Sequence, residues 1–162
     1  MPKPFIKQFE IRWSDVDANR HLANTAYSAY MVHTRMSFLT DNGVTLESFV
    51  AANIGPVILN EHLHYIRELL PTETVKVDVE LGGISEDKRF IQFNHHVYNE
   101  EGRIAAYGEV LIAWISLETR KMVIPPEDWN RVIDLLVKSE SFKTISGADT
   151  RFGHVPYQKA II

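Results

Sequence analysis

Two carboxylates stand in a short polar segment directly before a predicted helix. Asp15 and Asp17 lie between Ser14 and His21, and a helical apolar period begins at Asn24. The first backbone N–H groups of a helix lack intrahelical partners and carry partial positive charge, so they stabilise a polarised carbonyl or an oxyanion. A carboxylate held nearby can attack such a carbonyl or activate a water. The segment could therefore perform acyl transfer without a serine or cysteine nucleophile.

A structural role is the alternative interpretation of the same two residues. Asp and Asn in loops commonly accept hydrogen bonds from the N–H groups of turns and helix starts. Composition alone therefore favours capping over catalysis for Asp15 and Asp17. The chain has no cysteine, which excludes disulfides, zinc–thiolate sites, iron–sulfur clusters and a cysteine nucleophile.

An α+β arrangement is predicted for the elements that hold this segment. Alternating side chains indicate strands, and apolar residues at three- and four-residue steps indicate helices. The predicted elements are a strand at 5–13, a long helix from 24 to about 41, a short helix at 45–53, strands at 57–68, 75–81, 89–98 and 104–117, and a last helix from 125 to about 138. Gly43 follows the long helix and suits a left-handed cap.

Short loops join the last four strands, so neighbouring strands should pair antiparallel. We expect a five-stranded antiparallel sheet wrapped around the long helix, which would be buried on all sides. Residues 1–138, including the last helix, are predicted to form one domain, and 139–162 a C-terminal tail without a clear period. In the tail, Arg151, His154 and Tyr157 are expected at the surface or against a neighbouring subunit.

The composition excludes several classes of protein. The 162 residues are 45% hydrophobic and carry a net charge of −4 without a basic block, so nucleic acid is not an expected partner. No apolar run reaches the length of a membrane span. Met1 to Phe5 lacks the apolar core of a signal peptide, and with no cysteine present a cytoplasmic location is expected.

The stretch 13–27 resembles the signature of hotdog-fold acyl-CoA thioesterases of the 4-hydroxybenzoyl-CoA thioesterase type. In that family a strand ending in an aromatic residue runs into Asp-x-Asp and then commonly Gly-His-x-Asn-Asn-x-x-Tyr. The matching residues are Trp13, Asp15, Asp17, His21, Asn24 and Tyr27. Arg20 stands where Gly is common and Ala23 where the first Asn is common. A different loop backbone is expected, because Arg does not reach the conformations open to Gly. Looser similarity covers about residues 5 to 130.

This resemblance implies hydrolysis of an acyl-CoA thioester to a free carboxylic acid and CoA. It makes Asp17 the catalytic carboxylate, as a nucleophile or as a general base for water. It assigns polarisation of the thioester carbonyl to the backbone N–H of Asn24. His21 would orient the loop or the substrate, or make only a loop hydrogen bond, and Asp15 would be structural. No cofactor is required.

Further residues are expected to bind substrate or to pack. Tyr27 is predicted in the acyl-pocket wall or the core. His62 and His64 share one face of a strand and are expected in a pocket or a subunit contact rather than in a metal site. By the resemblance, Lys88 and Arg89 are candidates for contacts with CoA phosphates; the alternative is a solvated strand end. Arg35 and Arg67 are additional basic candidates with less support.

A sheet covered by one helix leaves its edges and other face open. The resemblance implies a homodimer or homotetramer in which the active site lies between subunits.

Two other functions remain as alternatives. One is a non-catalytic acyl-CoA-binding hotdog domain, and the other is a hydratase or dehydratase of acyl thioesters. The latter chemistry usually needs a His with an Asp or Asn partner elsewhere in the fold, and that signature is absent from the sequence.

Overall fold

The computed structural model describes residues 4–151. The elements in chain order are β1 (Phe5–Glu10), a 3-10 turn (Trp13–Asp15), α1 (Asn24–Asp41), α2 (Leu46–Ala52), β2 (Ile54–Tyr65), β3 (Thr74–Ile84), β4 (Phe90–Tyr98), β5 (Ile104–Ser116), α3 (Glu127–Ile133) and β6 (Lys138–Thr144). The long helix has its predicted bounds, and Gly43 follows it with φ 89°, as a left-handed cap requires. Within the described residues, no helix is long and apolar enough to cross a membrane.

Five antiparallel strands form the body of the sheet, in the order β1-β3-β4-β5-β2. β2 has 12 residues, pairs with β5 and forms one edge of the sheet. The sheet curves around α1, whose buried residues pack on the inner faces of its strands. The predicted five-stranded antiparallel sheet around a long helix is confirmed, and it is the arrangement that the resemblance implies.

Close approach of α1 to β5 depends on a glycine. A Cβ atom at Gly108 would lie 2.5 Å from Sδ of Met31, whose side chain is fully buried. Val77 and Val97 bury their side chains in the same cluster, from β3 and β4. This packing anchors the first half of α1, and therefore the position of its N-terminus, on the centre of the sheet.

Three sequence-based expectations differ from the structure. α1 is not buried on all sides, since Ala29 and His33 are exposed in the single chain, because the sheet covers one face of the helix. The first strand ends at Glu10, and Trp13 belongs to the 3-10 turn that follows. The last helix ends at Ile133 rather than at about Lys138.

The beginning of the predicted tail is structured. β6 pairs in parallel with β3, so the sheet has a sixth strand. Because β6 is mostly exposed, its sequence has no alternation of apolar and polar residues. The periodicity of the sequence therefore did not predict this strand. His154 and Tyr157 of the tail lie outside the described residues, and the domain boundary after residue 138 stays a prediction.

Candidate active site

The carboxylate of Asp17 is held by its own loop. Its Oδ1 accepts hydrogen bonds from the backbone N–H of Asn19 at 2.8 Å and of His21 at 3.2 Å. The backbone N–H of Asp17 donates to the carbonyl of His21 at 2.9 Å, and that of Arg20 donates to the carbonyl of Asp17 at 3.0 Å. Within residues 4–151, Oδ2 of Asp17 has no hydrogen-bond partner. One carboxylate oxygen is thus fixed and the other is available.

Arg20 adopts the left-handed backbone conformation, with φ 66°. This is the region that favours glycine, the residue common at this position in the resembling family. The expectation that Arg20 would give the loop a different backbone is therefore wrong at this residue. The hydrogen bonds between Asp17 and residues 19–21 close the turn and hold Arg20 in a conformation that it would otherwise avoid.

The start of α1 leaves backbone donors unpaired. Ala23 occupies the N-cap position and supplies no side-chain acceptor, and the first turn contains no acidic residue. The N–H groups of Asn24 and Thr25 have no acceptor among the described residues. The N–H of Ala23 donates to the carbonyl of Asp15 at 2.7 Å, and that of Leu22 to the carbonyl of Leu69 at 2.8 Å. These two bonds fix the helix start, while its first N–H groups remain free to bind a ligand oxygen.

The loop, the helix start and residues 65–68 at the end of β2 line one open pocket of about 350 Å³. It is lined by Asp17, His21, Leu22, Asn24, Tyr27, Tyr65, Ile66, Arg67 and Glu68. The structure thus brings together Asp17, His21, Asn24 and Tyr27. An anchored carboxylate and a polarising helix start in one pocket are two parts of an acyl-transfer site.

Among the residues that line this pocket, 66–68 were the hardest to predict from the sequence. Oε2 of Glu68 lies 2.9 Å from Nε2 of His21, and the side chain of Arg67 donates to the carbonyl of Ile104 at 2.5 Å. Arg67 was a weakly supported candidate, whereas Glu68 and Ile66 were not identified. No local motif marks these two residues, and their place in the pocket follows from the path of the chain between β2 and β3.

Tyr27 forms a wall of the pocket. Its ring is buried and meets that of Tyr65 edge to face, with 5.2 Å between centroids. Burial, followed by the neighbouring Tyr65 and the charge of Asp17, raises the pKa of Tyr27 to about 12. The phenol therefore stays protonated at neutral pH and retains its hydrogen-bond donor.

Asp15 contacts a different part of the structure. Its Oδ2 accepts a hydrogen bond from the hydroxyl of Tyr30 at 2.9 Å. Asp15 lines a separate groove of about 690 Å³ between β1 and α1. Burial and this hydrogen bond raise the pKa of Tyr30 to about 12, so the hydroxyl remains a donor. Such a contact is consistent with the structural role predicted for Asp15.

Four of the predicted binding residues lie outside the pocket. His62 and His64 are exposed on β2, paired with Glu109 and Tyr107 of β5. Lys88 and Arg89 lie in the turn between β3 and β4. Their partners are carboxylates, with Lys88 Nζ 3.7 Å from Asp134 and Arg89 Nε 2.7 Å from Asp87. The turn and the pocket are at opposite ends of β3, whose 11 residues span about 35 Å. Binding roles for these four residues stay predictions.

A second cluster of ionisable residues lies on the opposite face of the sheet from α1. Asp78, Glu80 and His96 each place a ligand-type atom within 4.8 Å of the others, a spacing that could hold a metal ion. Both oxygens of Asp78 already have partners: the N–H of His96 at 2.6 Å, its Nδ1 at 3.0 Å, and the hydroxyl of Tyr98 at 2.8 Å. The hydrogen bond with Asp78 raises the pKa of His96. The cluster is an ion-pair network separate from the pocket.

Solved structures share this fold. A DHNA-CoA thioesterase from Staphylococcus aureus is 18% identical with a TM-score of 0.73, and the match covers 80% of this chain and 87% of that one. A hypothetical protein from S. aureus, solved in complex with CoA, is 19% identical with a TM-score of 0.77 over 100% and 98% of the chains. A 1,4-dihydroxy-2-naphthoyl-CoA thioesterase from Synechocystis is 12% identical with a TM-score of 0.73 over 82% and 96%.

The family assignment rests on the sequence as well as on the fold. No curated protein matches the chain in sequence. The profile of the thioesterase-like superfamily matches residues 11–134, a range that contains the Asp17 loop, α1 and strands β2 to β5. The hotdog fold expected from the motif is thereby confirmed. The chain belongs to the thioesterase-like superfamily.

Proposed function

We propose that this protein hydrolyses an acyl-CoA thioester to a free carboxylic acid and CoA. Membership of the thioesterase-like superfamily supports thioester hydrolysis in general. The observation that carries the proposal is the shared pocket of Asp17 and the uncapped start of α1. The structure of similar fold solved in complex with CoA supports CoA as the thiol component.

The proposed reaction uses both features of the pocket. The thioester carbonyl oxygen accepts a hydrogen bond from the N–H of Asn24, which stabilises the negative charge that develops there. Oδ2 of Asp17 removes a proton from a water, and the water oxygen attacks the carbonyl carbon. The carbon–sulfur bond then breaks, and CoA leaves as a thiolate that takes up a proton. In the alternative route Oδ2 itself attacks, and water hydrolyses the resulting anhydride to the same products.

The remaining pocket residues would orient the substrate. His21 is held by Glu68 at 2.9 Å and faces the same space as Asp17. Tyr27 would limit the acyl group on the helix side. Lys88 and Arg89 would reach a bound CoA only from a neighbouring subunit, because the turn that carries them is at the far end of β3.

We infer that the protein is a homodimer or a dimer of dimers. Among residues 4–151 the long strand β2 forms one edge of the sheet, and exposed edges of this length favour pairing with another strand. Ile58 and Tyr65 of β2 are exposed, as are Ala29 and His33 of α1. Pairing through β2 would bury this surface beside the pocket and place the partner next to it. Light scattering after gel filtration measures the assembly directly.

CoA release from a panel of short, long and aromatic acyl-CoAs tests the activity, with wild type and Asp17→Asn assayed together. A rate on any substrate that the variant loses supports hydrolysis at this pocket. Acyl-CoA binding without release by either protein would support the non-catalytic binding domain instead. A single turnover in H₂¹⁸O tests for the nucleophilic route: if water attacks the aspartyl carbonyl of the anhydride, the label enters Asp17 and not the released acid, whereas the general-base route places the label only in the acid.

A further inference from the structure

A buried arginine faces the sheet from the middle of α1. Arg35 is only 5% exposed to solvent. Its one hydrogen bond to the described residues joins Nη1 to Nε2 of His95 over 3.5 Å. Among residues 4–151, no carboxylate oxygen lies within 4.0 Å of the guanidinium. Five N–H donors therefore share a single weak acceptor.

The histidine beside this arginine does not neutralise its charge. His95 is fully buried, and its Nδ1 lies 2.6 Å from the carbonyl oxygen of Asp78, so Nδ1 carries the proton and Nε2 accepts from Arg35. Burial and the charge of Arg35 lower the pKa of His95 to about 3, which keeps the ring neutral. Burial lowers the pKa of Arg35 to about 10, and the charge of Glu61 opposes this, so the guanidinium is a cation at neutral pH.

Glu61 does not supply the missing contact. Its side chain is exposed, and its two carboxylate oxygens accept from the hydroxyl of Ser28 at 3.3 and 3.4 Å. A desolvated guanidinium without a direct anionic partner is unfavourable, because nothing offsets the lost hydration. The position of Arg35 thus indicates a counter-ion that residues 4–151 do not provide.

A cavity of about 210 Å³ opens beside Arg35, between α1, β2 and the inner face of the sheet. Apart from Arg35 its walls are apolar, and they include Met36, Leu39, Ile58, Phe93 and Ile112. An apolar cavity of about 150 Å³ holds benzene. The present cavity therefore has room for a benzene-sized body that carries one small polar group.

We propose that this cavity binds a small monocarboxylate with an apolar body of about the size of benzoate. The carboxylate accepts two parallel hydrogen bonds from the guanidinium of Arg35, the geometry in which arginine recognises carboxylates. The apolar walls enclose the body of the ligand. Among the described residues of the wall Arg35 is the only basic one, so a dianionic phosphate or CoA itself is a poor fit.

This site is distinct from the pocket that contains Asp17. Arg35 lies eleven residues beyond Asn24 along α1, about 16 Å at 1.5 Å per residue. The two pockets share none of their lining residues. The proposal therefore does not depend on thioester hydrolysis and can fail or succeed separately from it.

Calorimetric titration of the full-length protein with benzoate tests the site, with benzamide as the neutral ligand of the same shape. We expect saturable benzoate binding and benzamide binding at least about tenfold weaker, since a charge-assisted contact is lost. Arg35→Met should abolish benzoate binding. Arg131→Met is the matched control, because Arg131 is exposed on α3, and it should bind as wild type does.

A second variant keeps the test decisive if Arg35→Met does not fold. Met36→Trp fills the cavity and leaves the guanidinium in place, so it should also prevent benzoate binding. Absence of benzoate binding to the folded wild type would overturn the proposal, as would unchanged binding to Arg35→Met or to Met36→Trp. If Arg35→Met instead dissociates the oligomer and the wild type ignores benzoate, the counter-ion belongs to a second copy of the chain and the proposal is wrong.

Discussion

Replacing Asp17 by Asn removes the reactive carboxylate with little change in shape. The amide oxygen can keep the hydrogen bonds from the N–H of Asn19 and His21, now 2.8 and 3.2 Å long. The amide nitrogen takes the place of Oδ2, which has no partner within residues 4–151. The loop should therefore retain its conformation, while the group that activates water or attacks the thioester is lost.

The expected loss of rate follows from the role of that group. A positioned general base contributes about 10²- to 10⁴-fold, so kcat should fall by that factor, or about 2.7–5.4 kcal/mol of transition-state stabilisation. Acyl-CoA binding should change little. Stability should also change little, by about 0.5 kcal/mol or less, because no buried contact is removed.

Asp15→Asn is the matched control in the same loop. It weakens the acceptor of the Tyr30 hydroxyl, a part-buried contact of 2.9 Å, and should destabilise the fold by about 0.5–1.5 kcal/mol. The rate per folded molecule should stay within a few-fold of wild type. Initial rates of CoA release and urea denaturation on both variants give the comparison. Equal rates for Asp17→Asn and wild type, or a larger rate loss in Asp15→Asn, would refute the assignment.

Three further results are expected. Asp78 raises the pKa of His96 in the folded protein. The contribution of His96 to stability is therefore complete below pH 6.5 and is lost as pH rises through the higher pKa of the folded state. Urea midpoints from pH 5 to 9 should show this fall in wild type and a smaller one in His96→Gln. Arg20→Gly should preserve the rate and the melting temperature, whereas Arg20→Val should lower stability by about 1–2 kcal/mol, because φ at this position is 66°. An Arg20→Val variant as stable as wild type would contradict the left-handed conformation. Glu68→Gln should alter kcat/KM by less than about tenfold, because its contact with His21 is largely exposed, and a greater loss would make Glu68 essential for positioning.

The elements with strong local patterns were predictable from sequence. The period from Asn24 to Asp41 and the cap at Gly43 gave the long helix its bounds, because helix formation depends on neighbours three and four residues away. The strands that became β3, β4 and β5 were predicted within a few residues, since their buried side chains make the pattern visible. β6 was not, because an exposed strand has no such pattern.

The residues of the candidate site also differ in whether a local sequence pattern could predict them. Asp17, His21, Asn24 and Tyr27 occupy one continuous stretch, so a motif could name them together. Glu68 lies at the pocket beside the hydrogen bond from the N–H of Leu22 to the carbonyl of Leu69, a contact between distant parts of the chain.

The sequence by itself determined the type of fold, the family resemblance and the carboxylate beside a helix start, since each depends on residues close together in the chain. Tertiary structure alone decided the pairing of Glu68 with His21 and the burial of Arg35 without a carboxylate partner among residues 4–151. The helical period places Arg35 on the inner face with Met31 and Phe38, but its charge argues for solvent. Whether Arg35 faces the sheet or the solvent depends on which residues of the sheet pack against α1, and no local pattern contains that information.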